Sequence, residues 1–155
     1  MGSKKRTIAE KKADMFEVYK AMRAGKKVKR SGAKDGSIQT HPVVPVDETK
    51  TEAGVLAECL SWLKRRRIFC KRHDCGAGNF GSGYATYGIR GSGDIHGMLR
   101  HHGGRHFEIE CKKGAGGRLS KNQQKRQRDV VANKGLYFVV HGVSELEHYF
   151  MGEYV

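Results

Sequence analysis

The run from Arg105 to Lys112 constrains this chain more than any other stretch. Phe107, Ile109 and Cys111 alternate with Glu108, Glu110 and Lys112, and successive side chains of a strand point to opposite faces. The spacing predicts a strand whose apolar face packs into a core while three charges line a groove. Upstream, Ser92-Gly93-Asp94-Ile95-His96-Gly97-Met98-Leu99 reads as a turn into a partner strand, a polar hairpin away.

The surrounding pattern is that of one α/β domain from residue 51 to 155. Thr51 can cap a helix in which Val55, Leu56, Cys59, Leu60 and Leu63 form an apolar stripe, with Lys64 to Arg67 at its cation-favouring end. Ile68 to Lys71 suits a short strand, and a glycine-rich loop follows from Gly76 to Gly83. After the central hairpin, a helix begins at Leu119-Ser120 and runs to about Asn133, and Leu136 to Val140 is a buried strand. Residues 144–150 form a last helix, with Ser144 and Glu147 at capping-box spacing. This order predicts a mixed sheet flanked by helices.

Residues 1–50 differ in character. They hold 13 Lys and Arg against 6 Asp and Glu. Ile8, Met15, Val18, Tyr19 and Met22 are spaced for a helix over 7–24 that Gly25 would end. Residues 26–50 carry both prolines and no periodicity, so they read as a linker, and the whole of 1–50 as a basic helical arm.

Thirty Lys and Arg against 16 Asp and Glu give a formal charge of +14, which points to a polyanionic partner, nucleic acid before all others. Arg72, Arg118, Lys121, Lys125 and Arg126 are the expected phosphate contacts. No stretch approaches the roughly 20 apolar residues of a membrane span, and the first residues lack the apolar segment of a secretory signal. A cytoplasmic setting with reduced thiols is expected for the four cysteines, Cys59, Cys70, Cys75 and Cys111.

The chemistry rests on Asp94, Glu110 and Lys112. Mg²⁺ binds through one or two carboxylates plus water and substrate oxygens, and a divalent ion beside a phosphodiester activates water and shields charge. Two residues from Glu110 on a strand, Lys112 emerges on the same face, where an ammonium can orient the attacking water or stabilise the phosphorane. Glu-x-Lys alone is commonplace on a solvated strand face. Here Gly91, Gly93 and Gly97 surround Asp94, and a basic, Gln-bearing helix follows.

Gly93-Asp94-Ile95-His96-Gly97, then Phe107-Glu108-Ile109-Glu110-Cys111-Lys112, then Arg118-Leu119-Ser120-Lys121-Asn122-Gln123 strongly resembles the VRR-NUC domain, a branch of the PD-(D/E)xK nuclease superfamily, over roughly residues 51–150. Glu52 and Arg72-His73-Asp74-Cys75-Gly76 also resemble that family's opening segments. The resemblance implies a restriction-endonuclease-like sheet and a nuclease using Mg²⁺ or Mn²⁺. Asp94 and Glu110 would hold the metal with the carbonyl of Cys111, Lys112 would be the catalytic lysine, and Gln123 would reach the site from the next helix. Glu52 resembles the family's first-helix acid, with Glu58 a competing choice. Stand-alone members are similar to Holliday-junction resolvases, often phage-encoded homodimers, which implies branched DNA as substrate. The chain departs from the family pattern at Gly93, where a proline is usual, and in its first fifty residues.

Other readings stay open. Cys70, His73 and Cys75, with His101, His102 and His106, could be a zinc site, although Cys-x4-Cys without a second close pair is weak. His73 and His96 could touch the scissile phosphate or simply be structural. Trp62 reads as core, while Tyr84 and Tyr87 could stack on an unpaired base or pin their loop. A non-catalytic nucleic-acid-binding module is the rival to the nuclease.

Overall fold

The computed structural model describes Lys20 and residues 23–25, 35–79, 81 and 83–151. The chain divides into two units, Met1–Gly32 and Ala33–Val155. In the first, Lys20 and Arg23 are helical, the Ala24 amide donates to the Lys20 carbonyl at 3.0 Å, and Gly25 takes φ +68°. That is the glycine termination expected there. The rest of the predicted 7–24 helix, and residues 26–34 of the linker, lie outside the described residues.

The second unit is a mixed α/β fold. Its elements run β1 (Ile38–Gln39), α1 (Glu52–Arg65), β2 (Phe69–Arg72), β3 (Gly76–Asn79), β4 (Tyr84–Tyr87), β5 (Ile95–Leu99), a 3-10 turn (Arg100–His102), β6 (Arg105–Cys111), β7 (Arg118–Leu119), α2 (Lys121–Ala132), β8 (Leu136–Val140) and α3 (Val143–Phe150). The main sheet has the order β2-β5-β6-β8. β2, β5 and β6 are successively antiparallel, and β8 joins parallel to β6. A parallel partner needs a crossover, which α2 supplies.

Alternation along these strands sorts the sheet into two faces. Cys70, Ile95, Leu99, Phe107, Ile109, Cys111 and Val140 are buried with Val55, Cys59, Trp62 and Leu63 of α1 and with Leu146 and Phe150 of α3. Thr51 caps α1 as expected, its hydroxyl accepting the Gly54 amide at 3.2 Å. Trp62 lies in this core and donates its indole N–H to Glu147 at 2.8 Å.

Four local expectations change. The glycine-rich stretch is an antiparallel hairpin, β3 paired with β4, because alternating glycines accept extended backbone as readily as a loop. Leu119 belongs to β7, and α2 starts after Ser120. The capping box sits at Ser120 and Gln123, which exchange bonds of 2.8 and 3.2 Å. None forms at Ser144, because that hydroxyl donates to the Pro45 carbonyl at 3.0 Å and Glu147 is taken by Trp62.

The fourth change concerns residues 37–50, expected as linker. They are strapped to the body. Ile38 and Gln39 pair with Leu119 and Arg118. The Thr40 amide donates to the Gly117 carbonyl and the Gly114 amide to the Lys50 carbonyl. Buried Glu145 accepts the Val43 amide at 2.8 Å and the His141 ring at 2.8 Å, while the far nitrogen of that ring meets the Thr40 hydroxyl at 2.9 Å. Without residues 37–50, Glu145 and His141 would lose partners inside the protein, a costly state for buried polar groups. A chain starting at residue 51 is therefore expected to be less stable than one starting at residue 35 by on the order of 3 kcal/mol or more. Denaturant unfolding of the two truncations checks this, and equal midpoints would refute it.

Among the described residues, no helix is long and apolar enough to cross a membrane.

Candidate active site

The polar face of the sheet carries three rows of residues, fixed by register. Asp94, Glu110 and Val139 make the first, entered from β2 by His73, whose amide donates to the Asp94 carbonyl at 2.7 Å. Lys71, His96, Glu108 and Tyr137 make the second. Phe69, Met98 and His106 make the third. The predicted alternation holds, but the groove is deeper than expected. Glu108, Glu110 and Lys112 are all buried, because α2 packs across β8 and reaches over β6 through Gln123 and Arg126.

Asp94 is set by the turn before it. Gly93 runs so close to β6 that a Cβ there would lie 2.8 Å from the Ile109 carbonyl oxygen, and its amide donates to Glu108 Oε2 at 3.0 Å. Asp94 Oδ2 in turn accepts the Cys111 amide at 2.8 Å. A proline at position 93 would have no N–H to give Glu108. Gly93→Pro is expected to cost roughly 2 kcal/mol or more, the scale of a lost bond to a buried charge plus a backbone clash. Urea unfolding reads this directly, and a proline variant as stable as the parent would contradict it.

Glu110 accepts from Lys112 Nζ at 2.6 Å and from Gln123 Nε2 at 2.5 Å, both on Oε1. Its Oε2 is buried and, among the described residues, has no hydrogen-bond partner. Burial first, then the neighbouring charge of Asp94, pushes the Glu110 carboxyl up to about 7 despite Lys112. Asp94 is also raised, by burial above all, with Glu52 adding to the effect and the Cys111 amide opposing it. Glu52, in the first turn of α1, thus acts electrostatically on both carboxylates. Glu58 is occupied elsewhere, in an ion pair with Lys50. The Cys111 thiol lies on the core face beside Cys59, whose hydrogen bond, together with burial, holds it in the protonated form.

Sequence reasoning missed Glu108 and Tyr137. Glu108 was legible only as one charge of an alternating strand, and Tyr137 only as part of an apolar run. Glu108 accepts from Arg126 Nε at 3.0 Å and Nη2 at 2.5 Å, from the Gly93 amide, from the Ser92 hydroxyl at 3.3 Å and from His106 Nε2 at 3.0 Å. Burial would raise its carboxyl, but Arg126, Gly93 and His106 outweigh burial and hold it down at about 2. The Tyr137 hydroxyl donates to the Gly91 carbonyl at 3.3 Å. Burial, followed by the charges of Glu110, Glu108 and Asp94, keeps that phenol protonated.

The expected phosphate contacts are dispersed. Arg126 is committed to Glu108, and Arg118 is turned onto Ser37, bonding its hydroxyl at 2.8 Å and its carbonyl at 2.7 Å. Exposed Arg72 pairs with Asp74 at 2.8 Å and exposed Lys125 with Asp129 at 2.7 Å. Lys121 is exposed, its stem against Gly36. Arg126 and Arg118 therefore have structural partners that their place in a basic helix does not announce.

Two donor sets invite a cation. Among the described residues, the three His, Cys, Asp or Glu whose donor atoms all lie within 4.8 Å of one another are His96, His106 and Glu108, not the Cys70, His73 and Cys75 of the zinc reading. Cys70 points into the core and Cys75 is exposed. Glu108 is already saturated by a guanidinium and three further donors, so that set has its positive partner. Glu110 has the opposite condition, a buried oxygen without a donor beside a second carboxylate. All-oxygen donors of that kind suit a hard divalent ion such as Mg²⁺ or Mn²⁺, which needs only one or two carboxylates from the protein.

Compared with known protein families, with characterised proteins and with solved structures, the chain finds no match in any of the three.

Proposed function

We propose that this chain is a metal-dependent endonuclease that hydrolyses DNA phosphodiesters, with a restriction-endonuclease-like sheet of the VRR-NUC type. The observation that carries the reading is the orphaned, buried Oε2 of Glu110, on the sheet face it shares with Asp94 and Lys112. An unpaired carboxylate oxygen in a buried site is costly, and a cation is the partner that would relieve it. Asp94 and Glu110 would hold that cation, with Glu52 and the Cys111 carbonyl completing the protein's share. When bound, it supplies charge neutralisation at the phosphate and a more acidic water.

The chain's own groups supply the rest. Lys112 Nζ, held at 2.6 Å from Glu110, would orient an attacking water and stabilise negative charge on the phosphorane oxygens. Gln123 fixes Glu110 from α2 while closing its own helix cap, so the carboxylate is oriented by the same residue that starts the helix. The net charge of +14 attracts the polyanion. Branched DNA is the proposed substrate and a homodimer the proposed assembly, because symmetric cleavage of a junction needs two sites.

The test is cleavage of labelled four-way junction, flap and linear duplex by the purified protein with Mg²⁺ or Mn²⁺ and with EDTA. Metal-dependent cutting, stronger on the branched substrates than on linear duplex, is the expected result. Binding to all three without cutting any would leave a nucleic-acid-binding module in place of the nuclease.

A further inference from the structure

The three rows of the polar sheet face are unequally covered. α2 packs over the β6 and β8 end, whereas the β2 and β5 end is open to solvent, with Phe69 62% and Met98 51% exposed. These two are direct cross-strand partners in the third row. His96, in the second row, lies between them and the carboxylates of the first, and its ring stacks on that of His73, level with Asp94, at 4.3 Å and 11°. His106 stands edge-on to His96 at 5.5 Å. The open half-face thus carries a run of ring and thioether side chains, with Lys71 among them, that begins beside Asp94 and ends about 13 Å away, four residues along a strand.

We infer that this strip is the seat of unpaired nucleotide bases on the strand being cut, with Phe69 and Met98 as its outer platform. The inference rests on the nuclease reading and deepens it by naming a substrate class: nucleic acid with a frayed or single-stranded segment. Three features select that occupant. The strip is continuous with the site through His73, which bonds the Asp94 backbone. Its surroundings are cationic, with Lys71 on the same face and Lys64 to Arg67 just before β2. A second copy of the chain would bring the same excess of positive charge against itself, whereas a polyanion is attracted by it. Every base has a π-face, so aromatic platforms take unpaired bases with little regard to sequence, at about 1–3 kcal/mol per base. A fully paired duplex offers no free base face to such a strip.

The experiment is fluorescence anisotropy in EDTA with a labelled oligothymidylate of about 20 nucleotides and with a duplex of equal length, comparing the parent with Phe69→Ala/Met98→Ala and with Phe69→Tyr. Both residues are exposed, so the variants are expected to fold. The double variant should lose roughly 10-fold or more in affinity for the single strand and change less than about 2-fold on duplex, while Phe69→Tyr keeps the parent's affinity. Unchanged single-strand binding by the double variant, in a parent that still cleaves junctions, overturns the strip and leaves the nuclease standing. A parent that binds neither oligonucleotide brings both readings down. A double variant that turns from dimer to monomer by light scattering, with single-strand affinity intact, assigns the face to a second copy and overturns the inference as well.

Discussion

Asp94→Asn is expected to reduce metal-dependent cleavage by roughly 10³-fold or more, because several kcal/mol of charge stabilisation at the phosphate depend on a correctly held cation, and each 1.4 kcal/mol is tenfold in rate. The substitution keeps the shape of the side chain and leaves an oxygen able to accept the Cys111 amide, now bonded to Asp94 Oδ2 at 2.8 Å. The fold should therefore survive. Removing a negative charge from the neighbourhood of Glu110, which Asp94 now disfavours electrostatically, should make the metal-free variant at least as stable as the parent. Cleavage rates and thermal unfolding measured on one preparation test both halves. Retained cleavage would dismiss Asp94 from the centre, and a collapsed fold would mean that its hydrogen bond to β6 matters more than its charge.

The second large effect is a proton linkage. The Glu110 carboxyl is raised from 4.5 to about 7 in the folded protein. Between those values the folded state keeps a proton that the unfolded state has released, so folding stability falls as pH rises through the window and the loss is complete above it. The span corresponds to about 3 kcal/mol at most. Glu108, lowered to about 2, has the opposite sign: its stabilisation is present above 4.5 and is lost as pH falls toward 2. Together the pair places the metal-free optimum near pH 4 to 5 (about the unfolded glutamate value). Urea titrations at pH 5 and pH 8 should show the parent losing stability relative to Glu110→Gln, which has no such proton. In the same window, Mn²⁺ added at pH 6 should release close to one proton, read from calorimetry in buffers of different ionisation enthalpy, and the release should vanish above pH 8. Equal behaviour of parent and Glu110→Gln would mean that the carboxylate is hydrated and not buried.

What the sequence announces here is what repeats at short range. The strand at 105–112, the Thr51 cap, the helix stripe and the buried strand 136–140 all follow from periodicity or one capping side chain, and they place Asp94, Glu110, Lys112 and Gln123 together. Long-range partners carry no such signal. Ser144 and Glu147 have capping-box spacing, yet Pro45 and Trp62 claim them from 99 and 85 residues away. Arg126 reads as one more cation on a basic helix until Glu108 is found beneath it. Residues 37–46 lack periodicity because the hydrogen bonds that hold them run to Gly117, β7, His141 and α3.

That strap has a consequence for how the protein is made. The Val43 amide meets Glu145 across 102 residues of chain, and the same strap grips the loop that follows Lys112 through Gly114 and Gly117. Contacts that span most of a chain slow folding, because their loop must close before they contribute. During synthesis the strap emerges early and waits until α3 has followed it. The segment bracing Lys112 is therefore secured only when α3 has formed, and a nascent chain that has not yet reached α3 carries Asp94, Glu110 and Lys112 without the clasp that steadies them.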